Sequence, residues 1–333
     1  MRANDALSMT TLPMNAPDTP FLTRLSIASF AWVMGIGGLG NASFAAHKAF
    51  GLPQVIGQAL VALAALCFVA LLLAHLAKLV LHLDAVREEF GHAVRASFFP
   101  AVSVAAIVLS IGLRGWSEPL AQGLWCAGAA LHLVLALTLV RRWILQPQDE
   151  SVMTPAWFIP VVGNILVPVG GVPLGHVEAS WFFFSIGLVL WLVFFTLAFH
   201  RLLFFASLSE RSIPTLFILL APPSIGLSAY FAFNDGHAGP LADILYSVAL
   251  FVALLLASMA REITHGPFFM SWWAMTFPLD GWAGACIGYY RARPGPFTAG
   301  VAVVALVAAT AMLLWVLART LRQVFAGQAF RED

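Results

Sequence analysis

The sequence predicts an all-α integral membrane protein with ten transmembrane helices. Of its 333 residues, 61% are hydrophobic and only 10% are charged, whereas a soluble domain has about half apolar and about a quarter charged residues. Apolar runs recur along the whole chain, and many reach the roughly 20 residues that a helix needs to cross a bilayer. A soluble fold is therefore excluded, and the chain is mostly spans and short connections.

The apolar runs define the predicted spans and the limits of one transmembrane domain. The spans cover residues 21–46, 53–77, 96–113, 119–141, 154–171, 180–203, 213–233, 239–261, 269–289 and 296–320. Residues 1–20 contain three prolines and no apolar segment before a cleavage site, so we expect a short cytoplasmic tail and no signal peptide. Residues 321–333 are expected to be a second short cytoplasmic tail, which leaves 21–320 as the transmembrane domain.

Lysine and arginine are distributed unequally between the connections. With ten spans both termini lie on one side, and the side richer in Lys and Arg is the cytoplasmic one. Thirteen of the 17 fall on the side of the termini, Arg2 and Arg331 among them. The other four are Lys48, Arg114, Arg291 and Arg293. The count predicts a multi-pass protein of the inner (plasma) membrane with both termini in the cytoplasm.

Prolines occur inside the third, fifth, seventh and ninth predicted spans, whereas no even-numbered span has one in mid-helix. These prolines are Pro100, Pro160, the pair Pro222 and Pro223, and Pro278. The intervals are 60, 62 and 56 residues, and a step of 62 back from the first proline reaches Gly38 in the first span. Because proline kinks a helix at a definite place, this repeat predicts five hairpins of one kinked and one straight helix. The simplest arrangement is an inner ring of kinked helices around a central axis, with the straight helices outside.

Aromatic residues accompany these prolines. Phe98 and Phe99 precede Pro100, Trp157 and Phe158 precede Pro160, and Phe277 precedes Pro278. An aromatic ring at the narrowest point would seal a pore by dewetting it, and turning the ring aside would open the pore. For most of the 27 phenylalanines, packing against lipid or other helices is the expected role.

Five segments resemble the tellurite-resistance/dicarboxylate transporter family, which includes bacterial TehA-type channels, fungal malate carriers and plant slow anion channels. The segments are EFGHAVRASFFPAVS, TPAWFIPVVGNILVPVGG, ASWFFFSIGLVLWLVFFTLAFHRL, PTLFILLAPPSIGLSAY and SWWAMTFPLDGWAGACIGYY. The resemblance runs from about Phe21 to about Thr320. Its most specific parts are APPS in the seventh span and WWAMTFP in the ninth.

The resemblance implies a homotrimer in which each subunit has its own pore, formed by five inner helices with quasi-fivefold symmetry. It also implies that a phenylalanine of the ninth span blocks the pore, and Phe277 occupies that motif position. The residues expected to line the pore or to form its kinks are Gly38, Asn41, Phe98, Phe99, Pro100, Ser103, Phe158, Pro160, Asn164, Pro222, Pro223, Ser224 and Pro278.

The chain departs from the family pattern at two positions. His92 is followed by Ala93 where the family has a His-Pro pair, so the start of the third span is expected to bend differently. Asp280 follows Pro278 by two positions, and a carboxylate there would repel anions unless it faces the bundle or is protonated. We assign Asp280 either a helix-to-helix hydrogen bond or a role in proton coupling or selectivity.

These residues lead to one functional hypothesis and one alternative. The interiors of the odd spans hold no Lys or Arg, so selectivity would rest on backbone groups freed at the kinks, on polar side chains and on ring edges. Such a weak field favours large, weakly hydrated monovalent anions, so we predict a gated channel or channel-like transporter for small anions and organic acid anions. The alternative is a proton-coupled C4-dicarboxylate carrier of the malate type, or a tellurite-related secondary transporter.

Other classes have little support. Cys67, Cys126 and Cys286 lack partners at metal or disulfide spacing, so no metal or other cofactor is expected. The string GIGGLG has no strand before it and is better explained by close helix packing than by dinucleotide binding. The few scattered Lys and Arg argue against a nucleic-acid partner. The histidines and Glu262 near the span ends give little support for an enzyme. A receptor without transport has no supporting feature. We expect small anions and membrane lipid as partners.

Overall fold

The computed structural model describes residues 20–326, which are helical and contain no β-strand. Residues 1–19 and 327–333 lie outside the described residues, and with them Arg2, Arg331 and most of the two predicted tails. Within the described range, nine helices are long and apolar enough to cross a membrane. The expectation of a multi-pass α-helical membrane protein is confirmed.

Ten helical segments are numbered here in chain order. The nine membrane-length helices are α1 (Ile27–Phe50), α2 (Gln54–Leu81), α3 (Arg95–Leu113), α4 (Glu118–Leu145), α5 (Pro155–Leu174), α6 (Val177–Phe204), α7 (Ile213–Phe233), α8 (Pro240–Ser258) and α10 (Pro296–Phe325). The remaining segment, α9, consists of the 3₁₀ turn Met270–Met275 and the α-helix Thr276–Ala292. Segment α9 is not among the nine membrane-length helices. It carries Asp280 in its interior and Arg291 in its last turn.

The helices fall into two classes by burial. In α1, α3, α5 and α7, between 67% and 78% of the most apolar stretch is buried, whereas in α2, α4, α6, α8 and α10 the share is 22% to 33%. Most side chains of α9 are buried as well. We call the five odd-numbered segments the ring helices and the five even-numbered ones the outer helices.

The ring helices contact one another in a closed cycle. Helix α1 packs against α3 and α9, α5 lies between α3 and α7, and α7 packs against α9. Each outer helix contacts the ring helix that precedes it and the ring helix that follows it, and α10 bridges α9 and α1. An inner layer of five segments is therefore surrounded by five outer helices.

Every ring helix begins with a 3₁₀ turn and continues as an α-helix. The five turns are Ile27–Ser29, Arg95–Phe98, Pro155–Trp157, Ile213–Leu220 and Met270–Met275. The sequence predicts kinks in mid-helix, but Pro100 caps the α-helical part of α3, and Pro222, Pro223 and Pro278 lie in the first turn of theirs. Proline is tolerated there because its missing N–H would have no partner within the helix. Pro160 lies inside α5, which alternates between short α and 3₁₀ segments.

The glycine cluster of α1 allows close approach of three neighbouring helices. A β-carbon on Gly37 would lie 3.0 Å from Val108 of α3, and one on Gly40 would lie 2.8 Å from Val61 of α2. On Gly35 it would collide with Thr276 of α9. The structure supports the packing interpretation of GIGGLG, since no strand precedes it in the described range.

The first helix starts later than the sequence predicts. Residues Phe21–Arg24 form a separate short helix, and α1 runs from Ile27 to Phe50 instead of 21–46. A further helix, Leu83–Gly91, occupies the predicted connection between the second and third spans. At the other end of the chain, α10 continues to Phe325, beyond the predicted limit of 320.

A buried ion pair explains the break before α1. Lys78 Nζ lies 2.7 Å from Glu89 Oε2 and donates to the carbonyl of Leu25 at 2.8 Å. Glu89 Oε1 accepts from the backbone N–H of Ile27 at 2.8 Å and from the Ser26 hydroxyl at 3.1 Å. Because Lys78 ends α2 and Glu89 lies in the short helix Leu83–Gly91, three segments are held together at the start of the ring.

Candidate functional site

A central cavity of about 80 Å³ lies inside the ring of helices. All five ring helices contribute to its wall, and its lining is apolar. Among its residues are Met34 of α1, Val104 of α3, Leu166 of α5, Ile225 of α7 and Phe277 of α9. Among the described residues, no lysine or arginine lines this cavity.

Phe277 and Asp280 pack against the same glycine of α1. A β-carbon on Gly38 would lie 3.2 Å from Cδ2 of Phe277 and 2.9 Å from Oδ2 of Asp280. Gly38 therefore has to be small, because a side chain there would displace both neighbours. Gly38 lies one turn beyond Met34, which lines the central cavity, and one turn before Asn41, which lines a different cavity. The Phe277 ring therefore lies at a level between Met34 and Asn41.

Asp280 is buried, with 2% of its surface exposed. Neither of its carboxylate oxygens has a hydrogen-bond partner among the described residues. A helix-to-helix hydrogen bond, one of the two roles that the sequence leaves open, is therefore not formed in this structure. An unpaired carboxyl in a buried site is uncommon, because an unsatisfied polar group costs free energy there.

The aromatic residues that precede the prolines separate into two groups. Phe98, Phe158 and Phe277 line the central cavity. Phe99 does not; its ring packs edge-on against Phe90, with centroids 4.8 Å apart. Trp157 is also absent from the wall and stacks on Trp143 of α4 at 4.2 Å.

The prolines separate in the same way. Pro222 and Pro278 line the cavity, whereas Pro100, Pro160 and Pro223 are buried behind it. All five prolines lie at or near the points where α3, α5, α7 and α9 change from 3₁₀ to α-helical hydrogen bonding.

The polar side chains that the sequence assigns to the pore do not line the central cavity; Ser103, Asn164 and Ser224 are buried, and Asn41 is half-buried. Ser103 donates to the carbonyl of Pro100 at 2.7 Å, and Asn164 donates to the carbonyl of Val161 at 2.7 Å. The Ser224 hydroxyl has no partner among the described residues. Asn41 donates to the carbonyl of Val108 at 3.0 Å and lines a cavity at the other end of the ring.

Sequence reasoning missed one buried polar residue near this site, His132 of α4. Its Nδ1 lies 2.9 Å from the Ser103 hydroxyl, which already donates its proton to Pro100. His132 therefore donates to Ser103 through a protonated Nδ1. A β-carbon on Gly163 of α5 would lie 2.8 Å from its Nε2, so the imidazole bridges two ring helices. A lone histidine in an apolar run gives no signal of this role.

The N-side vestibule is a cavity of about 550 Å³ at the N-terminal ends of the ring helices. It shares Ala31, Phe98 and Ala274 with the central cavity. Its charged residues are partly compensated: Arg95 lies 3.7 Å from Glu88, and the Arg211 guanidinium lies 5.3 Å from the centre of the Phe269 ring.

His92 also lines this vestibule. Partial desolvation of the ring, and then the nearby charge of Arg95, lowers the pKa of His92 below its usual value, although the residue is largely exposed. Its Nδ1 accepts from the backbone N–H groups of Val94 and Arg95 at 3.2 and 3.3 Å. His92 thereby caps the 3₁₀ turn that starts α3, at the position where the family pattern leads us to expect a different bend.

The C-side vestibule comprises two adjoining cavities, of about 410 and 840 Å³, at the C-terminal ends of the ring helices. Both cavities are lined by Lys48, Arg114 and Arg291, and the larger one also by Arg293. These are the four cations that the sequence assigns to the side opposite the termini. The count of Lys and Arg assigned these four residues to one side of the membrane. It did not predict that they line one vestibule, because they are up to 245 positions apart in the chain.

A closed ring of helices around an apolar cavity, with a polar vestibule at each end, defines a multi-pass membrane protein built around an axis. The family described as voltage-dependent anion channel, of the SLAC1 type, matches residues 24–321. The chain belongs to this family of anion channels and transporters. The resemblance inferred from the five segments is confirmed.

Three relatives illustrate the range of the family. The S-type anion channel SLAH2 of Arabidopsis thaliana is 29% identical over 92% of this chain and 60% of its own length. The guard cell S-type anion channel SLAC1 of the same plant is 25% identical over 93% of this chain and 57% of its own. The tellurite resistance protein TehA homolog of Haemophilus influenzae is 23% identical over 90% of this chain and 91% of its own. The chain therefore spans little more than half the length of these plant relatives and nearly all of the bacterial one.

Proposed function

We propose that this protein is a gated, channel-like pore for small monovalent anions and organic acid anions, closed by the ring of Phe277. The observation that carries the proposal is the position of Phe277 in the wall of the central cavity, packed on Gly38 at the level where that cavity ends and the C-side vestibule begins. An apolar constriction excludes ions by dewetting, and removal of the ring widens it. Membership of an anion-channel family supports the anion as the permeant species.

The proposed architecture has ten transmembrane helices in five hairpins with quasi-fivefold symmetry. The cycle of contacts among the ring helices and the 3₁₀ turn at the start of each one support this. We further propose a homotrimer with one pore per subunit in the inner membrane, with both termini cytoplasmic. The mass of the detergent-solubilised protein and the accessibility of an N-terminal tag test these two points.

The pore wall imposes a weak field, because the central cavity is apolar and the side chains of Ser103 and Asn164 donate to backbone carbonyls of their own helices. An anion crossing it gains little in exchange for its hydration shell. Large, weakly hydrated anions therefore pass more readily than small, tightly hydrated ones. Of the residues named from the sequence, those proposed to shape the path are Phe98, Phe158, Pro222 and Pro278, which line the central cavity together with Phe277.

Planar-bilayer recording of purified Phe277→Ala protein tests the gate. We expect an anion current at least about tenfold above wild type, because the apolar seal is lost. Phe99→Ala is the matched control: it removes the same ring from a position outside the cavity, against Phe90, and the current is expected to stay at the wild-type level. Equal currents in wild type and Phe277→Ala would contradict the proposal.

A second candidate is proton-coupled transport of C4-dicarboxylates or of a tellurite-related anion, with Asp280 as the coupling residue. Its support is the buried, unpartnered carboxyl beside Phe277 and Gly38. A group of this kind would bind a proton when an anion passes and release it afterwards. Saturable malate or tellurite uptake driven by a pH gradient and lost in Asp280→Asn favours the carrier. A flux that follows voltage and ion gradients, unchanged in Asp280→Asn, favours the channel.

A further inference from the structure

The C-side vestibule contains three cations that no carboxylate neutralises. Lys48 comes from the last turn of α1, Arg114 follows the end of α3, and Arg291 lies in the last turn of α9. Within residues 20–326, none of the three forms an ion pair. The carboxylate of Asp235 also lines the larger cavity, without an ion pair of its own in the same range.

The fourth cation of this vestibule is compensated. Arg293 donates from Nε and Nη2 to the two oxygens of Asp243 at 3.0 and 2.9 Å, and the Tyr289 hydroxyl donates to Asp243 at 2.8 Å. The pair contributes no net charge. Lys48, Arg114 and Arg291 against Asp235 leave an excess of positive charge in this vestibule.

All three cations line both adjoining cavities of the vestibule. Arg114 is held there by a hydrogen bond from its Nη1 to the carbonyl of Pro173 at 3.2 Å. Deeper in the smaller cavity lie the polar side chains of Asn41 and Ser110, followed by the level of Phe277. The opposite end has fewer unpaired cations: of its two arginines, Arg95 is paired with Glu88 and only Arg211 forms no ion pair within the described residues.

We propose that the C-side vestibule is an anion-capture site, in which Lys48, Arg114 and Arg291 concentrate small inorganic or carboxylate anions before they meet the apolar constriction. This inference rests on the proposed function, because the captured anions would be those that enter the pore. The capture of anions by the vestibule can still be measured without conduction. The capture residues attract anions without stripping their water, because the cavity is wide and open to solvent. Discrimination between anions is left to the constriction.

The local potential is measured by the reactivity of a cysteine placed in the vestibule. Gln58 lines the smaller cavity, so Gln58→Cys, in a Cys126→Ser background that removes the one exposed native thiol of the described range, reports on this space. The rates of modification by a negatively charged and a positively charged methanethiosulfonate are compared at low salt. Three unit charges on the order of 10 Å away in water change the local anion concentration by roughly tenfold.

The triple variant Lys48→Gln, Arg114→Gln, Arg291→Gln is expected to lower the ratio of anionic to cationic modification rates by at least about tenfold. Each single variant should lower it by roughly twofold or more, and high salt should abolish the differences. The matched control Arg293→Gln with Asp243→Asn removes a pair without changing the net charge and should leave the ratio within about twofold. The single variants keep the test available if the triple variant fails to fold.

An unchanged ratio in the triple and single variants would overturn the capture site. A conduction measurement separates this outcome from failure of the proposed function. In the Phe277→Ala background, neutralising the three cations should reduce the current carried by anions that enter from the C-side more than the current in the opposite direction. If no variant conducts anions while the reactivity ratio falls as expected, the proposed function fails and the capture site stands.

Discussion

The ring helices are more buried than the outer helices but less apolar. In soluble proteins the more buried segments are the more apolar ones. The outer helices are on the whole the more apolar class, yet only 22% to 33% of their apolar stretch is buried, against 67% to 78% for the four membrane-length ring helices. Lipid tails are as apolar as leucine, so burial of apolar surface does not drive these helices together. Close packing through small residues and satisfied polar groups must do so instead.

The ring helices and the outer helices differ in how sensitive they are to substitution. Ring helices meet through glycines such as Gly35 and Gly38, where a single methyl group collides with a neighbouring helix. Outer helices present large apolar side chains to lipid, where one can replace another at little cost. The outer layer has exceptions, such as the fully buried His132 of α4. The exception that carries an ion pair is at the end of α2, where Lys78 is buried against Glu89.

Loss of the buried ion pair between Lys78 and Glu89 is expected to have the largest effect on stability. Lys78→Met leaves Glu89 buried without its partner, and removal of one member of a buried ion pair costs about 3–5 kcal/mol. We expect a loss of that size in the free energy of unfolding, measured by denaturant titration in detergent. The double variant Lys78→Met with Glu89→Leu should recover part of it.

Arg87→Met is the control for this prediction. Arg87 pairs with Asp84 at 3.4 Å on the surface, with 70% and 100% of the two side chains exposed. Exposed pairs contribute little because solvent screens them, so no measurable change is expected. A Lys78→Met protein as stable as wild type would contradict the expected cost of breaking this buried ion pair.

A smaller effect compares one glycine from each layer. Gly35→Ala in α1 would place its β-carbon 2.8 Å from Cβ of Thr276 in α9, and such overpacking costs about 1–3 kcal/mol. Gly123→Ala in α4 meets nothing within 4 Å and should be neutral or slightly stabilising, because alanine favours a helix over glycine. Thermal unfolding in detergent, followed by tryptophan fluorescence, measures both. Equal destabilisation by the two substitutions would contradict the division into layers.

The smallest effect concerns the start of a ring helix and depends on pH. Neutral His92 accepts two backbone hydrogen bonds at the 3₁₀ turn of α3, and its pKa is lowered in the folded protein. Its contribution is therefore fully present above the unfolded pKa of about 6.5 and is lost as the pH falls below that value. We expect Tm to decline slightly from pH 8 to pH 5, since the residue is exposed. His92→Gln, which cannot gain a proton in this range, should remove that part of the decline.

The layers could be predicted from the sequence because prolines and glycines carry the signal. The interval of about 60 residues between Pro100, Pro160, Pro222 and Pro278 identified the odd-numbered segments as one class, and burial separates the same segments. The geometry at each proline could not be predicted: a proline that starts an α-helix after a 3₁₀ turn and a proline that kinks a continuous helix have the same local sequence.

The wall of the central cavity was predictable only in part. Phe98, Phe158, Pro222, Phe277 and Pro278 line it, whereas their neighbours Phe99, Trp157 and Pro223 do not. Which of two adjacent residues faces the axis depends on the rotation of the helix. Ser103 and Asn164 do not line the cavity, since their side chains donate to backbone carbonyls of their own helix. Hydrogen bonding of this kind depends on which carbonyl is left free, and the sequence does not give that information.

The contact between α1 and α9 has a consequence for how the molecule is made. These segments pack together through Gly35 and Gly38 against Thr276 and Asp280, although about 240 positions separate them in the chain. The ring therefore cannot close until the ninth segment has been made, because α9 supplies the contacts that join α7 to α1. A chain that stops before Met270 lacks one of the five walls of the central cavity.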